Sequence, residues 1–322
     1  MAAGQFVGID LGGTLIRAAL GDAQGHIVRR ADADTHPEAG IEAVADSIAA
    51  LVDEAIREVG REAVHSVALG VPGPVDPRTG ILYDPPNLVK GEVPIKSMLE
   101  ERIGLTVHVA NDANVAAIGE WLFGGHGKTD HLVYITISTG VGAGIISHGR
   151  LIDGFNATAG EIGHTVIDPN GPPCTCGNHG CVESFCSGTN IGRFAREALE
   201  RGEQSLMRQL AGGDISSVSS KHVVEAAQRG DPVAGRIFFE AADRMGIAVV
   251  NVIHVLSPEF VVLGGGVSQA GELLFGPIRD RVRRTALRLP ARNVKIVPAG
   301  LGVDSGLVGA IGLAALEAAQ TA

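Results

Sequence analysis

The sequence predicts an α/β protein of two domains, and three observations support that prediction. At 322 residues, the chain is longer than a single hydrophobic core usually supports. Its residues are 45% apolar but only 4% aromatic, and 45 are glycines, a profile typical of alanine- and valine-rich α/β proteins with many tight turns. A pattern of strand, small-residue turn and return strand also occurs twice, which indicates an internal repeat.

The first part of the chain alternates strands with helices. An apolar strand, FVGID, leads into a glycine turn, and the strands LIRAAL and HIVRR follow. Apolar residues at helical spacing predict a helix from Glu38 to Val59, and a shorter helix is predicted from Lys96 to Ile103. The strand SVALG lies between them. LTVHVA is predicted as a buried strand that ends at Asn111, and a helix is expected from Ala113 to Phe123.

The segment HLVYITIS begins a second copy of the opening pattern. It runs into the small-residue turn Thr139–Gly142, from which the strand AGIIS returns. We therefore interpret FVGIDLGGTLIRAAL and LVYITISTGVGAGIIS as structural duplicates, which would present two phosphate-handling hairpins to one cleft. The remaining chain is predicted to be mostly helical, with the strands EFVVLGGGV and NVKIVPA. Its main helices are expected at Pro232–Leu256, at about 271–287 and at about 305–319.

Charge and apolar pattern argue against several classes of protein. A net charge of −10 argues against a nucleic-acid surface, because phosphate binding needs a basic face. The N-terminus shows no basic region before a long apolar run, so no signal peptide is expected. The longest apolar stretch, Ile247–Leu256, is interrupted by Asn251 and His254 and is too short to span a bilayer. We expect a cytoplasmic protein, in which clustered cysteines favour a metal over a disulfide.

Three glycine turns are candidates for binding phosphate or nucleotide. In the first, glycines would let the backbone approach a phosphate, a threonine offers a hydroxyl, and an aspartate could face a magnesium-bound water. These residues are Asp10, Gly12, Gly13 and Thr14. The alternative is an ordinary hairpin with Asp10 as a turn former. The second turn offers Thr139 and Gly140. The third follows a buried strand, where a base or ribose could lie against bare backbone, and consists of Gly264, Gly265 and Gly266.

Asn111 and Asp112 lie where a predicted strand passes into a predicted helix. Two interpretations of Asp112 remain open at this point. Aspartate is a common N-cap residue, and the local sequence favours that structural role. The functional alternative is a general base that takes a proton from a hydroxyl group.

Residues 159–188 contain the strongest chemical signal. His164, Cys174, Cys176 and Cys181 form a His-x9-Cys-x-Cys-x4-Cys array, which suits a tetrahedral Cys3His zinc site. Four protein ligands close the coordination sphere, so the zinc is predicted to be structural. The alternative is a set of buried thiols near a loop, and Cys186 is interpreted in that way. Two glutamates flank the array, Glu161 and Glu183.

Taken together, these motifs resemble the ROK family of sugar kinases, and specifically its bacterial ATP-dependent glucokinases. The resemblance covers nearly the whole chain. It is carried by DLGGT at 10–14, VPGPVD at 71–76, PNL at 86–88, NDANVAA at 111–117, STGVGAG at 138–144 and EIGHTVIDPNGPPCTCGNHGCVES at 161–184. The CxCGxxGCxE core of the last block is highly specific.

The resemblance implies an actin/hexokinase-like (ribonuclease H-like) α/β fold with two domains and an interdomain cleft. The small domain would be 1–111, joined by a C-terminal helix at about 303–322, and the large domain 112–302, with the zinc loop at 164–181. ATP and magnesium would lie against the three glycine turns. Asp112 matches the family's catalytic base. The residues implied to bind the sugar are Gly73, Asn87, Asn111, Asp112, Glu161, His164 and Glu183, with His164 also a zinc ligand.

The implied reaction is ATP-dependent phosphorylation of a hexose, with D-glucose to glucose 6-phosphate ranked first. Fructose, mannose, allose or an N-acetylated amino sugar remain alternatives, as does polyphosphate as the donor. A sugar-responsive repressor is disfavoured, because only nine residues precede Asp10 and the charge is acidic. A homodimer or homotetramer is the family expectation. Leu15 and Lys90 depart from the residues common at those positions in the family.

Overall fold

The computed structural model describes residues 4–85 and 90–321, and the chain folds into two compact units. Unit 1 comprises residues 1–130, 144–160 and 299–322, and unit 2 comprises residues 131–143 and 161–298. These units divide the chain differently from the predicted domains, whose boundary lay between residues 111 and 112. The helix that begins at Asp112 packs on the C-terminal helix inside unit 1.

The strands alternate with helices through the first half of the chain and become rare after it. In chain order they are β1 (Gln5–Leu11), β2 (Leu15–Asp22), β3 (Ile27–Asp34), β4 (Val64–Val71), β5 (Val75–Asp76), β6 (Ile81–Tyr83), β7 (Glu92–Val93), β8 (Val107–Asn111), β9 (His131–Ile137), β10 (Val141–Ser147), β11 (Arg150–Leu151), β12 (Phe260–Gly264) and β13 (Lys295–Pro298).

Two five-stranded sheets share one topology. In the first, with the order β3-β2-β1-β4-β8, the three leading strands pair antiparallel, and β4 and β8 are added in parallel. The second has the order β11-β10-β9-β12-β13, with β12 parallel to both β9 and β13. The predicted duplicates occupy the same positions in their sheets, as β1–β2 and β9–β10, so the internal repeat is confirmed. A small antiparallel sheet, β5-β6-β7, follows β4 in the chain.

The helices agree with the predicted ones except at some ends. In chain order they are α1 (Ile41–Ala55), α2 (Ile95–Ile103), α3 (Asp112–Phe123), α4 (Val182–Cys186), α5 (Gly188–Glu200), α6 (Leu206–Leu210), α7 (Ser220–Gln228), α8 (Pro232–Leu256), α9 (Glu272–Thr285), α10 (Arg288–Asn293) and α11 (Ser305–Thr321). The first helix is shorter than predicted, because Gly40 precedes it at a φ of 89°, a conformation that interrupts helical backbone.

The C-terminal helix α11 lies in the core of unit 1, against α3, β1 and β4. Small residues allow this close packing: a Cβ atom added to Gly309 would lie 1.9 Å from the carbonyl oxygen of Val115. Among the described residues, 302–320 is the one helical stretch long and apolar enough to cross a membrane by composition. Its packing inside unit 1 accounts for that composition without a membrane.

A buried carboxylate fixes the start of α11. Glu120 of α3 is fully buried and accepts four hydrogen bonds. Its Oε2 atom accepts from His126 Nε2 at 2.7 Å and from the Gly300 N–H at 2.8 Å. Its Oε1 atom accepts from the Leu301 N–H at 3.0 Å and from Ser305 Oγ at 2.7 Å. This one side chain therefore satisfies backbone groups that precede α11, and no lone charge is left buried.

Candidate active site

The first glycine turn, between β1 and β2 in unit 1, is stabilised by hydrogen bonds at Gly12. The Gly12 N–H donates to the Leu15 carbonyl at 3.0 Å, and the Thr35 hydroxyl donates to the Gly12 carbonyl at 2.7 Å. Gly13 and Thr14 are exposed at the tip, with nothing within 4 Å of the position a Gly13 side chain would occupy. The turn therefore presents open backbone, as a phosphate-binding turn requires.

Asp10, the residue before the end of β1, forms an ion pair that sequence reasoning missed. Its carboxylate contacts the guanidinium of Arg17 on β2, which also donates to the Val303 carbonyl at 2.8 Å. A Cβ atom on Gly306 would lie 3.0 Å from the same carboxylate, so glycine leaves the room that Asp10 needs. The β1–β2 register places Arg17 directly opposite Asp10, which a hairpin prediction could have shown.

The corner between β8 and α3 corrects one of the two interpretations of Asp112. Asn111 is the N-cap, since its Oδ1 atom accepts from the N–H groups of Ala113 at 3.0 Å and Asn114 at 3.3 Å. Asp112 is the first helical residue, half-buried, with Oδ1 2.8 Å from the Ala113 N–H. The interpretation of Asp112 as the N-cap is therefore wrong.

Gly73 is brought to this corner from the loop after β4. The Nδ2 group of Asn111 donates to the Gly73 carbonyl at 3.3 Å, and Gly73 has a φ of 94°, which favours glycine. Two of the predicted sugar-binding residues are thus in direct contact in unit 1. A third, Asn87, lies outside the described residues.

The second glycine turn, in unit 2, is tied to a predicted sugar-binding residue. The Oε2 atom of Glu183 accepts from the Val141 N–H at 2.9 Å, and a Cβ atom on Gly140 would lie 2.5 Å from that oxygen. The Thr189 hydroxyl also donates to the Thr139 carbonyl at 2.8 Å. Glycine at position 140 therefore allows the carboxylate to reach the turn.

The third glycine turn begins at Gly264, the last residue of β12. A Cβ atom on Gly265, whose φ is 81°, would lie 2.4 Å from the Ile137 carbonyl, and one on Gly264 would lie 2.3 Å from the Tyr134 hydroxyl. Gly265 therefore allows close packing of two backbone segments, and Gly264 leaves room for the Tyr134 side chain. Gly266 lines a cavity.

That cavity, of about 840 Å³, lies within unit 2 and joins the second and third turns. Thr139 and Gly266 line it, and so do the start of α5 and the face of α7. Two cationic side chains also reach it, Arg196 and Lys221, and sequence reasoning missed both. They come from helices with no recognisable motif, so only the fold brings them to the turns. Glu225 also lines the cavity, and bare backbone with two cations against one carboxylate suits a phosphorylated ligand.

The predicted zinc ligands form one cluster in unit 2. The ligand atoms of His164, Cys174, Cys176 and Cys181 all lie within 4.8 Å of one another. The Cys174 Sγ atom is 3.6 Å from His164 Nδ1, and the Cys176 and Cys181 Sγ atoms are 3.7 Å apart. Tetrahedral zinc with bonds of about 2.3 Å to sulfur and about 2.0 Å to nitrogen requires ligand separations of roughly 3.5–3.8 Å. The cluster fits zinc.

The two closest thiols differ in their environment. A backbone hydrogen bond from Asn178 lowers the pKa of Cys176 to about 7, whereas burial raises the pKa of Cys181 to about 12. The loop around them is tight: a Cβ atom on Gly180, whose φ is 69°, would lie 1.6 Å from the Asp168 carbonyl. An ion at the cluster would hold both sulfurs as thiolates and close the loop around itself.

The segment that carries this cluster, residues 159–188, also contains the flanking predicted residues. His164 directs Nδ1 to the cluster, and its backbone N–H donates to the Glu161 carbonyl at 3.1 Å. Glu183 follows Cys181 by two residues, on the first turn of α4. Glu161 is exposed and Glu183 is half-buried. Cys186, the remaining cysteine, is buried and donates to the Ala241 carbonyl, as expected of a structural thiol.

Comparison with known proteins gives a consistent result over the whole chain. The ROK family model matches residues 6–317. A glucokinase of Thermotoga maritima is 39% identical over 309 residues, which is 95% of this chain and 96% of the relative. A xylose repressor of Caldicellulosiruptor bescii is 29% identical, over 91% of this chain and 73% of the repressor.

Among solved structures, a ROK family glucokinase from Streptomyces griseus in complex with glucose and AMPPNP is similar, with a TM-score of 0.84 and 36% identity. The match covers 96% of this chain and 99% of that one. This likeness confirms the predicted actin/hexokinase-like α/β fold. It also shows a similar chain that holds a sugar and an ATP analogue at once.

Proposed function

Because the chain belongs to the ROK family, we propose that it is a sugar kinase that transfers the γ-phosphoryl group of ATP to the 6-hydroxyl of a hexose, D-glucose first. The assignment of the catalytic base rests on the geometry at the start of α3. The N-cap there is Asn111, and Asp112 is the half-buried first residue of the helix, with Oδ1 2.8 Å from the Ala113 N–H. A carboxylate on the first turn of a helix is well placed to accept a proton from a bound hydroxyl group.

The reaction depends on positioning and charge neutralisation more than on covalent chemistry. The exposed backbone at Gly13 and Thr14, and the unit 2 cavity with Thr139 and Gly266, would bind the nucleotide. Magnesium, when bound with ATP, would neutralise charge on the phosphates, and Asp10, beside the first glycine turn, is the candidate to hold one of its waters. Asp112 then accepts the proton of the 6-hydroxyl as that oxygen attacks the γ-phosphorus and the bond to the β-phosphate oxygen breaks.

Sugar selection is assigned to the zinc-binding segment. With Nδ1 of His164 directed to the metal, Nε2 is left for a sugar hydroxyl, and Glu161 and Glu183 supply acceptors. Zinc has no part in the reaction; it would hold these side chains in place, since the loop has little core of its own. Fixed hydroxyl-binding groups discriminate strongly, because an epimer leaves a polar group unpaired.

The alternative within this class is a different hexose. The test is a coupled assay of the purified protein with ATP or polyphosphate and a panel of glucose, mannose, fructose, allose and N-acetylated amino sugars. We expect glucose with ATP to give the highest kcat/KM. No turnover with any sugar would refute the kinase proposal and favour a non-catalytic sugar-binding protein, whereas a higher kcat/KM for another hexose would reassign the substrate.

Asp112→Asn tests the base. It should retain sugar binding and lose about 10²–10⁴-fold in kcat, the usual contribution of a general base. The matched control is Asp53→Asn, which removes a surface carboxylate paired with Arg61 and should leave kcat unchanged. Near-normal turnover of Asp112→Asn would contradict the assignment of Asp112 as the general base.

Two further properties belong to this proposal. Cytoplasmic location and assembly as a homodimer or homotetramer are the expectations for a sugar kinase of this family. Sedimentation of the purified chain at several concentrations measures the assembly directly, and a monomer at all of them would contradict it.

A further inference from the structure

A separate cavity, of about 770 Å³, lies entirely within unit 1. Its lining comes from β8, α3, α11 and the hairpin of β10 and β11, and it includes neither Gly73 nor Asp112. Sites for drug-sized molecules usually measure about 300–1,000 Å³. The size therefore suits a small organic molecule.

Most of the wall is apolar. It contains Val109 from β8, Ile118 and Trp121 from α3, and Leu313 and Leu316 from α11. The indole of Trp121 is fixed, because its Nε1–H donates to the Thr129 carbonyl at 2.8 Å. A flat, immobile ring with aliphatic neighbours is a good surface for a ring-sized apolar group.

The cavity follows the open edge of a sheet. The Val67 N–H donates to the Thr106 carbonyl at 2.9 Å, so on β8 the backbone groups of alternate residues from Thr106 face β4. Those of Val109 consequently point to the other side, where β8 pairs with no strand of residues 4–85 or 90–321. An occupant of the cavity meets backbone polar groups there.

The wall also contains a buried acceptor that nothing satisfies. Asn114 is only 4% exposed, and its Oδ1 atom has no hydrogen-bond partner among the described residues. Leaving such an atom unpaired costs about 1–3 kcal/mol, so a donor in the cavity would be stabilised there.

A negative charge lies in the same wall. The Glu317 carboxylate of α11 lines the cavity, with Oε2 3.8 Å from His108 Nδ1. Burial lowers the pKa of His108, and the charge of Glu317 opposes this only in part, so the imidazole is neutral at neutral pH. Among the lining residues of α11, only the partly exposed Glu317 is charged. The remaining charged side chains, Arg150 and Asp153, are exposed and of opposite sign.

We propose that this cavity is a binding site for a small amphipathic amine, whose apolar ring packs on Trp121 while its ammonium group donates hydrogen bonds to acceptors of the wall and is attracted by Glu317. The ammonium supplies a donor for the unsatisfied Asn114 Oδ1 atom, and the ring matches the apolar lining. Asn111 also lines the cavity, so the occupant contacts the residue that caps α3.

The first test needs no variant. Trp121 is the only tryptophan of the chain, so its fluorescence reports occupancy of the cavity. Three probes of one shape are titrated: phenethylamine, 2-phenylethanol and 3-phenylpropanoate. We expect a saturable change with phenethylamine and at least about tenfold weaker binding of the carboxylate, the loss of one charge-assisted contact. Equal binding of amine and carboxylate, or no saturation with the amine, would overturn the proposal.

Two variants locate the bound amine. Glu317→Gln should weaken phenethylamine about tenfold and leave 2-phenylethanol unchanged, while the control Glu272→Gln, at an exposed residue of unit 2, changes neither. Leu316→Phe should reduce binding of all three probes, and the volume-conserving Leu316→Met should retain it. Wild-type affinity for the amine in either Glu317→Gln or Leu316→Phe would place the amine elsewhere. All titrations are made without hexose or nucleotide, so their outcome is independent of the kinase proposal.

Discussion

Replacing the buried carboxylate of Glu120 by an amide should destabilise unit 1 strongly. The variant Glu120→Gln keeps the size and shape of the side chain but exchanges one accepting oxygen for an NH2 group. In the protein, each carboxylate oxygen accepts two hydrogen bonds, so the amide loses two acceptor contacts and brings donors against donors.

The magnitude follows from those contacts. Hydrogen bonds to a charged group contribute about 1.5–3 kcal/mol each, and removing one partner of a buried charged pair usually costs about 3–5 kcal/mol. We therefore expect the free energy of unfolding of unit 1 to fall by about 3–5 kcal/mol. Denaturant unfolding followed by the fluorescence of Trp121, the neighbouring residue and the only tryptophan, measures this unit.

The pH dependence provides a second measurement of the same interaction. Burial raises the pKa of Glu120, but hydrogen bonds from His126, Ser305, Leu301 and Gly300 outweigh it, so the pKa lies below the ordinary 4.5. The unfolded state then binds more protons, and this stabilisation is present above about pH 4.5 and is lost as the pH falls. The stability difference between wild type and Glu120→Gln should shrink accordingly.

The control is Glu54→Gln, at an exposed position of α1, which should change stability by less than about 0.5 kcal/mol. If Glu120→Gln unfolds at the same denaturant concentration as this control, the buried network does not hold α11 in place. A difference that stays constant from neutral to acidic pH would likewise refute the charge as the cause.

Two further predictions concern unit 2. Cys176→Ser should lower both the zinc content and the glucose affinity, whereas Cys186→Ala, at a buried thiol away from the cluster, should keep both. Metal analysis and glucose binding are measured on both variants. Full glucose affinity in a variant without zinc would contradict the proposal that zinc holds the sugar-binding side chains in place. Gly140→Ala should displace Glu183 from the second turn and raise the hexose KM, with little loss of stability because the displaced group is the end of a flexible side chain. Gly235→Ala, at an open position of α8, is its control, and an unchanged hexose KM in Gly140→Ala would contradict the role of that contact.

The elements and the metal cluster could be predicted from the sequence because they depend on local patterns. Period and turn residues placed β8 and α3, and the spacing of the histidine and the cysteines predicted the cluster that fits zinc. The local sequence could not decide between Asn111 and Asp112 as the N-cap, because asparagine and aspartate cap equally well. In the structure, Asn111 is the N-cap and its Nδ2 group also donates to the Gly73 carbonyl, a contact across 38 residues.

Other features depend on which segments the fold brings together. The Glu183 contact with the second turn spans 42 residues, and Lys221 reaches the unit 2 cavity from a helix without a motif. Nothing near either residue in the sequence signals these contacts. Side-chain partners at such separations require the sheet order and the helix packing to be known first.

The position of α11 has a consequence for the order of folding. Unit 1 is built from the first strands of the chain and from its last helix, with most of unit 2 lying between them in sequence. During synthesis, β1 and β4 are made long before the helix that covers them. Their apolar faces therefore stay exposed until residues 305–321 are synthesised, whereas unit 2 can form its own core earlier. We therefore expect unit 1 to fold after unit 2, and its early strands to expose apolar surface in the nascent chain that can aggregate.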